Sequence, residues 1–285
     1  MLPRGHLSSR IPFSFVDGPG NRFVVFMQGC NFDCVVCHNP HTIAECNGCN
    51  DCVDRCPELA LALVGEDVQP ALSRDRCTDC DICIEVCAFD SSPLTWWATV
   101  DEMLAEIREA APFIKGVTVS GGEATLQHEF VRRLFAAIKA DPTLSHLSTL
   151  VDSNGAAPPE VWDALAPVMD GAMLDLKAFD PDVHLRMTGA PNDQVLASIR
   201  YLATRGLLSE VRLLIVPGLN DSPDMLDETA AWLRSVDPAI ALKVIGFRKH
   251  GTRPVADGLS EPEPEALSAI GRRFREAGFD QVAVI

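Results

Sequence analysis

Eleven cysteines, all between residues 30 and 87, constrain this 285-residue chain more than any other feature. They form three groups, CNFDCVVC at 30–37, CNGCNDCVDRC at 46–56 and CTDCDICIEVC at 77–87. An odd number of cysteines at C-x-x-C spacings is typical of metal ligation rather than of a disulfide framework. We therefore expect metal centres in the first third of the chain and none bound by cysteine after it.

The two later groups share the spacing C-x2-C-x2-C-x3-C, followed by Pro57 in one and by Ala88 in the other. This is the bacterial two-cluster ferredoxin pattern, in which the fourth cysteine of each run ligates the other cluster. The predicted ligands are Cys46, Cys49, Cys52 and Cys87 for one [4Fe–4S] cluster, and Cys77, Cys80, Cys83 and Cys56 for the second. Structural zinc sites are the alternative, but they do not need cysteines at all of these offsets.

The remainder of the chain alternates between strand and helix patterns. Strands are predicted at 22–29, 116–122, 146–155, 171–177, 210–218, 241–247 and 280–285. Helices are predicted at 99–114, 128–140, 158–168, 192–206, 222–236 and 262–278. Thr99 and Glu102 have the spacing of a capping box. Such alternation indicates about six βα units around a mainly parallel sheet, either an open partial barrel or a doubly wound sheet.

The bulk charge excludes some functions. A formal net charge of −16 and a pI near 4.7 are unlike the basic surfaces that bind nucleic acid or anionic membranes. The first twenty residues lack the apolar core of a signal peptide, and no apolar run is long enough to span a bilayer. We expect a soluble cytoplasmic protein that binds neither nucleic acid nor membrane.

The first cysteine group supplies only three ligands. Its C-x3-C-x2-C spacing, on a loop directly after the first predicted strand, resembles that of the radical S-adenosylmethionine (SAM) superfamily. In that superfamily the amino and carboxylate groups of SAM chelate the fourth iron. A zinc knuckle would use the same cysteines but would leave the motifs that follow unexplained.

Further motifs occur in the order found in glycyl-radical-enzyme activating proteins, the family of the pyruvate formate-lyase activating enzyme. They are SFVDGPGNR at 14–22, the cysteine loop ending in HNP at 38–40, SGGEA at 120–124, DSNG at 152–155, MLDLK at 173–177 and RLLIVPG at 212–218. In length and in the position of the cysteine-rich insert, the chain is most similar to the YjjW-type activases.

This resemblance implies an α/β fold, a partial (β/α)6 radical SAM barrel formed by residues 1–45 and 96–285. Residues 46–95 would be an inserted ferredoxin-like domain with two [4Fe–4S] clusters. With the cluster of the first group, the chain would hold three. The catalytic cluster would be bound by Cys30, Cys34 and Cys37.

The resemblance also assigns cofactor and substrate positions. The SAM-binding positions are His38, Ser120, Gly121, Gly122, Glu123, Lys177, Arg212 and His250. A monovalent cation beside the SAM carboxylate would be held by Asp152 and Asp175, with the backbone carbonyls of Ser153 and Met173. Asp17 would contact the glycine-bearing loop of the partner enzyme.

The implied activity is activation of a glycyl radical enzyme. Reductive cleavage of SAM gives a 5′-deoxyadenosyl radical, which removes one hydrogen from the Cα of a glycine in the partner. A flavodoxin or ferredoxin would supply electrons through the insert. Two alternatives remain: a radical SAM enzyme acting on a small molecule or peptide, and a non-catalytic ferredoxin-type electron carrier.

Overall fold

The computed structural model of this protein describes residues 4–65 and 68–285. Its strands are β1 (Gly5–Ser14), β2 (Arg22–Met27), β3 (Leu61–Ala62), β4 (Ala71–Leu72), β5 (Trp96–Ala98), β6 (Gly116–Gly121), β7 (Ser148–Ser153), β8 (Gly171–Leu176), β9 (Leu208–Ile215), β10 (Leu242–Gly246) and β11 (Val282–Val284). Its α-helices are α1 (Ile82–Glu85), α2 (Val100–Ala110), α3 (His128–Ala140), α4 (Pro159–Leu165), α5 (Pro181–Thr188), α6 (Asp193–Thr204), α7 (Pro223–Val236) and α8 (Pro264–Glu276).

Nine of these strands form one sheet in the order β11-β10-β9-β8-β7-β6-β2-β1-β5. From β2 through β11 every neighbouring pair in this order is parallel. The order never reverses, so the sheet has no switch point of the doubly wound kind. Of the two architectures that the sequence allowed, the structure therefore has the singly wound one, in which right-handed crossovers place the helices on one face.

The helices cover that face with a continuous apolar core. Apolar side chains of α2, α3, α6 and α8 pack with those of the parallel strands, and the largest fully buried one is Trp162 of α4. Its indole nitrogen donates a hydrogen bond to Ser198 Oγ at 2.9 Å, so burial of the ring leaves no polar atom unpaired. Within the described ranges, no helix is both long and apolar enough to cross a membrane.

The predicted βα units agree with the structure, and α2 begins as its sequence indicates. Thr99 Oγ1 accepts a hydrogen bond from the backbone of Glu102 at 3.2 Å, and the Glu102 carboxylate accepts one from the backbone of Thr99 at 2.6 Å. The sequence did not indicate β1 and β5, which add an antiparallel edge beside β2. It also missed α5, which Asp180 caps by accepting a hydrogen bond from Val183 N at 2.8 Å.

The cysteine-rich segment lies outside the main sheet. Its described part carries the two-residue pairing of β3 with β4 and the single turn α1. Its own small core contains Cys52, Leu61 and Cys83. The chain then returns to the sheet through β5. The predicted domain boundary at residues 46–95 remains a prediction.

Candidate functional site

A cleft of about 430 Å³ is lined by residues at the carboxyl ends of the parallel strands and extends to the VDGPG turn. It is large enough for one small cofactor. Fourteen of the residues that the sequence assigned to function line it: Asp17, Cys30, Cys34, Cys37, His38, Ser120, Gly121, Gly122, Glu123, Asp152, Ser153, Asp175, Lys177 and Arg212. Parallel strands end at the same edge, so motifs far apart in sequence meet there.

The first three cysteines lie on a loop, residues 30–37, that we call the cysteine loop. Backbone hydrogen bonds from Asp33 N to Thr188 O and from Val35 N to Met187 O, both 2.9 Å, fasten it to the end of α5. Burial raises the pKa of Cys30 to about 11 and that of Cys34 to about 12. The thiols therefore need a bound cation to become thiolate ligands.

The donor set of this loop fits an iron–sulfur cluster better than a single ion. In residues 4–65 and 68–285, no three His, Cys, Asp or Glu side chains converge on the position of one metal ion. Each thiolate of a [4Fe–4S] cluster binds a different iron, so such convergence is not required.

His38, which follows the loop, has its Nε2 2.9 Å from Arg248 O and stacks on Phe247.

The glycines of the SGGE motif are required by packing inside the protein. Gly121 has φ +122°, and a Cβ there would lie 2.1 Å from Met27 N. A Cβ at Gly122 would lie 2.3 Å from Gly29 O. The close approach to the end of β2 thus explains both glycines. The expected contact of this backbone with SAM remains a prediction.

Glu123 is a structural acid at the floor of the cleft, with only 1% of its surface exposed. Its carboxylate accepts hydrogen bonds from Thr125 N and Oγ1, from Ser153 Oγ at 2.8 Å and from Asn154 N at 2.7 Å. Burial raises the pKa of this carboxyl, while these donors oppose the shift. Glu123 therefore joins the loop after β6 to the loop after β7.

Two ion pairs line the cleft, one largely buried and the other partly exposed. Arg212 Nη1 lies 2.9 Å from Asp152 Oδ2, which also accepts a hydrogen bond from Ser120 Oγ at 2.9 Å. Lys177 Nζ lies 2.7 Å from Asp175 Oδ2. Burial raises the pKa of Asp152, and the Arg212 guanidinium opposes that shift. The cleft thus offers fixed charges of both signs, as a zwitterionic ligand requires.

Asp17 reaches the same cleft from the opposite end of the strands. Its carboxylate accepts a hydrogen bond from Ser14 Oγ at 2.5 Å, and its backbone carbonyl accepts one from Thr118 Oγ1 at 2.7 Å. Fully buried Arg22 supports this turn by donating to Thr118 Oγ1 at 2.6 Å and to Pro19 O at 3.3 Å. Hydrogen bonds of Thr118 and Arg22 therefore fix the backbone of the VDGPG turn.

The side chains of two assigned residues do not line the cleft. Met173 is 1% exposed, and its Sδ accepts a hydrogen bond from Arg212 Nη2 at 3.1 Å. His250 is exposed and does not line the cleft. Its expected contact with the adenosyl group remains a prediction.

Sequence reasoning missed several residues of the site. Asn154 lines the cleft, with its Nδ2 2.8 Å from Asn31 Oδ1 and 3.9 Å from Cys30 Sγ. Glu210 accepts a hydrogen bond from Arg212 Nε at 2.9 Å, and its carboxylate forms an ion pair with Lys243 Nζ at 3.0 Å. The DSNG motif contains Asn154, so that residue could have been found. Nothing in the local sequence indicates the pairing of Glu210 and Lys243.

The eight cysteines of the inserted segment surround two small cavities. Cys46, Cys49, Cys52, Cys83 and Cys87 line one. Cys56, Cys77, Cys80 and Cys83 line the other. Each cavity thus has cysteines of both runs in its lining, while the two clusters and their ligand sets remain predictions.

Comparison with known proteins gives the class of this fold and site. The model of the radical SAM superfamily matches residues 24–233. The crystal structure of a radical SAM methyltransferase from Sphaerobacter thermophilus has a TM-score of 0.58 and 17% identity, covering 93% of this chain and 66% of that one. That likeness concerns the fold alone.

Two relatives of known name cover most of the chain. The pyruvate formate-lyase-activating enzyme of Streptococcus mutans is 31% identical, over 92% of this chain and 88% of that enzyme. The isethionate sulfite-lyase activating enzyme of Desulfovibrio desulfuricans is 28% identical, over 85% of this chain and 82% of that enzyme.

The chain therefore belongs to the radical SAM superfamily and, within it, to the family of glycyl-radical-enzyme activating enzymes. This confirms the family predicted from the ordered motifs. Membership of this enzyme family does not fit the alternative of a non-catalytic electron carrier. The finer assignment to the YjjW-type branch remains a prediction.

Proposed function

We propose that this protein activates a partner glycyl radical enzyme by removing a hydrogen atom from the Cα of one glycine. The observation that carries the proposal is that the cysteine loop and Asp17 line one continuous cleft. A segment of a partner protein that passes Asp17 would meet, in the same cavity, the cofactor held by the three thiols. No side chain has to act as an acid or a base in this transfer.

The cysteine loop would hold a [4Fe–4S] cluster with one iron free for SAM. Within the described part of the chain, three cysteines line the cleft, and no fourth cysteine does. When bound, the cluster supplies the electron that cleaves the S–C5′ bond of SAM, giving methionine and the 5′-deoxyadenosyl radical that takes the glycine hydrogen. The protein supplies position, charge and exclusion of water.

The charged residues of the cleft would bind the amino-acid end of SAM. Lys177 pairs with Asp175, and Arg212 pairs with both Asp152 and Glu210, so both cations are held at the cleft where they would face the SAM carboxylate. Asp152 and Asp175, with the carbonyls of Ser153 and Met173, would also hold a monovalent cation, because oxygen donors suit such an ion. The backbone of Gly121 and Gly122 would contact the amino group.

We further propose that residues 46–95 are a ferredoxin-like domain with two [4Fe–4S] clusters, which would make three in the chain. The two small cavities, each lined by cysteines of both runs, support this assignment. The clusters would pass electrons from a flavodoxin or ferredoxin to the cysteine loop. If so, Cys49→Ala and Cys80→Ala should slow flavodoxin-driven turnover far more than dithionite-driven turnover. If the variants leave both rates unchanged from wild type, the clusters are structural.

The test of the proposed function is anaerobic. The protein is reconstituted, its iron is counted, and it is reduced and given SAM with a panel of glycyl radical enzymes. The panel contains a pyruvate formate-lyase, an isethionate sulfite-lyase and the glycyl radical enzymes of the source organism. We expect about twelve irons per chain, from three four-iron clusters, and 5′-deoxyadenosine. We also expect the electron paramagnetic resonance signal of a glycyl radical on one panel member.

Each failure has a distinct meaning. Deoxyadenosine without a glycyl radical on any panel member would favour a small-molecule or peptide substrate. No deoxyadenosine from fully loaded protein would overturn the proposal. The variant Cys34→Ala is the matched control, because it removes one thiol of the cysteine loop and leaves the insert cysteines unchanged.

A further inference from the structure

Five apolar side chains stand exposed beside the VDGPG turn. We call this patch the aromatic rim, and it consists of Ile11, Phe13, Phe15, Val16 and Phe113. Phe15 is 77% exposed, and Val16 and Phe113 are each 67% exposed. A single exposed apolar residue is ordinary, but a group of neighbours on a soluble domain marks an interaction site.

Local polar contacts hold the rim in this exposed state. The hydrogen bond from Ser14 Oγ to Asp17 Oδ2 closes the turn that carries Phe15 and Val16 at its tip. Asn21 Nδ2 donates to Phe113 O at 2.7 Å, which ties the segment after α2 to the same turn. The rings of Phe13 and Phe113 then meet edge to face, with centroids 6.0 Å apart. The two halves of the rim thus form one surface.

The sheet edge next to the rim is also open. Strand β5 pairs with β1 only over Gly5–Leu7, so the outer edge of β1 from Ser9 to Phe13 has no neighbouring strand among the described residues. Along that stretch the side chains are exposed as well. A neighbouring protein would therefore find both apolar side chains and free backbone groups there.

The rim is continuous with the cleft. Val16 belongs to the rim and also lines the cleft, next to Asp17. A cavity of about 430 Å³ admits a loop but not a folded protein. A stable protein–protein contact covers about 800 Å² on each partner, so most of that contact must lie outside the cleft. The rim is the apolar surface where the cleft reaches exposed Val16, and the contact would extend over it from there.

Resting on the proposed function, we propose that the aromatic rim is the docking surface for the body of the glycyl radical enzyme, beside its glycine-bearing loop. The partner presents an apolar patch that covers Phe15 and Phe113, while the loop enters past Asp17. The rim then determines the affinity for the partner, and the cleft holds the groups that react with its glycine. Aromatic side chains are the residues that usually dominate such contacts.

The test uses the panel member that the wild-type protein activates, with dithionite as reductant. Initial rates of glycyl radical formation are measured against partner concentration for Phe15→Ser and Phe113→Ser. Each should raise the KM for the partner about tenfold, the effect of a moderate interface anchor, with kcat unchanged. Leu63→Ser is the matched control, because Leu63 is 65% exposed on the inserted segment, and its KM should stay within twofold of wild type.

Iron content and partner-free deoxyadenosine formation are measured on the same samples to show that each variant is folded and loaded. An unchanged KM in both Phe variants, with a wild-type protein that activates its partner, would overturn the docking surface and leave the proposed function standing. Sedimentation of the protein without its partner tests the other possible occupant of the rim, a second copy of this chain. A wild-type dimer that Phe15→Ser dissociates would assign the rim to a second copy of this chain instead. Failure of the wild type to activate any panel member would overturn both proposals.

Discussion

The guanidinium of Arg253 donates a hydrogen bond to the backbone carbonyl of Cys34 at 3.0 Å, although 219 positions separate the two residues. The same side chain contacts Asp33 Oδ1 at 2.5 Å and Asp90 Oδ2 at 3.3 Å. It therefore joins three parts of the molecule: the segment after β10, the cysteine loop and the inserted segment. Nearby, a Cβ on Gly251 would lie 2.6 Å from His38 O, so this segment packs closely against the end of the loop.

Replacing Arg253 by Lys should loosen the cysteine loop and the insert together. A single ammonium cannot make all of these contacts, and the loss should be about 1–3 kcal/mol of local stability. Hydrogen–deuterium exchange of the reconstituted protein should show faster exchange in residues 33–37 and 87–92. Arg74→Lys is the control, because the Arg74–Asp79 pair is exposed and lies within the insert. Unchanged exchange near both Cys34 and Asp90 would contradict the linking role.

Replacing Arg212 by Lys should weaken SAM binding. Lys keeps the charge but cannot contact Asp152, Glu210 and Met173 together as the guanidinium does. We expect the dissociation constant of SAM, measured by anaerobic equilibrium dialysis, to rise about tenfold, which corresponds to about 1.4 kcal/mol. Arg205→Lys, at an exposed site, should bind SAM as the wild type does. If Arg212→Lys and Arg205→Lys bind SAM with equal affinity, Arg212 does not take part in SAM binding.

Replacing Asp17 by Asn should impair use of the partner and spare cleavage of SAM. The amide retains the size of the carboxylate but loses the charge beside the entering loop. The KM for the partner should rise several-fold, in the range of one lost charge-assisted hydrogen bond, while partner-free deoxyadenosine formation continues. Asp182→Asn, on the exposed side of α5, controls for the loss of one negative charge. Equal loss of both activities would count against a substrate-binding role for Asp17.

We expect buried His184 to lower the stability of the folded protein at pH values below 6.5. The ring is fully buried, its Nδ1 lies 2.9 Å from Ala190 O, and its edge faces Phe32 at 5.7 Å between centroids. Burial lowers its pKa from the ordinary value of 6.5. A group with a lowered folded-state pKa stabilises the protein above the unfolded-state pKa, and this stabilisation is lost as the pH falls below it.

The loss grows as the pH falls further below 6.5, because the unfolded state then binds a proton that the buried ring does not. We expect the drop in thermal midpoint between pH 7.5 and 5.5 to be smaller in His184→Leu than in the wild type. His146→Leu, at an exposed site, should keep the wild-type drop. A His184 variant with the full wild-type pH dependence would show that another group causes it.

Local spacing carried most of what the sequence predicted about the site. The cysteine groups, SGGEA and DSNG each lie at the end of a strand or on one loop, and parallel pairing brings those ends together. Their meeting in one cleft follows from topology. The contacts of Arg253 do not, because nothing in the local sequence marks which distant carbonyl a guanidinium will reach.

The fold was predictable from the sequence where burial imposes a regular pattern of apolar residues. The parallel strands are buried on both faces and read as apolar runs. Strand β1 is different: its second half is exposed, and its side chains alternate only in part. Its identity as a strand depends on pairing with β2 and β5, which are separated from each other by the whole inserted segment. Single-sequence periodicity does not contain that information.

The central claim is that one glycine of a protein partner gives its Cα hydrogen to the radical formed in this cleft. The direct measurement is isotopic. The partner activated by the wild type is prepared with glycine deuterated at Cα, and the 5′-deoxyadenosine formed with it is analysed by mass spectrometry. We predict one deuterium in the deoxyadenosine for each glycyl radical formed. Unlabelled deoxyadenosine accompanying a full yield of radical would contradict direct transfer from that glycine.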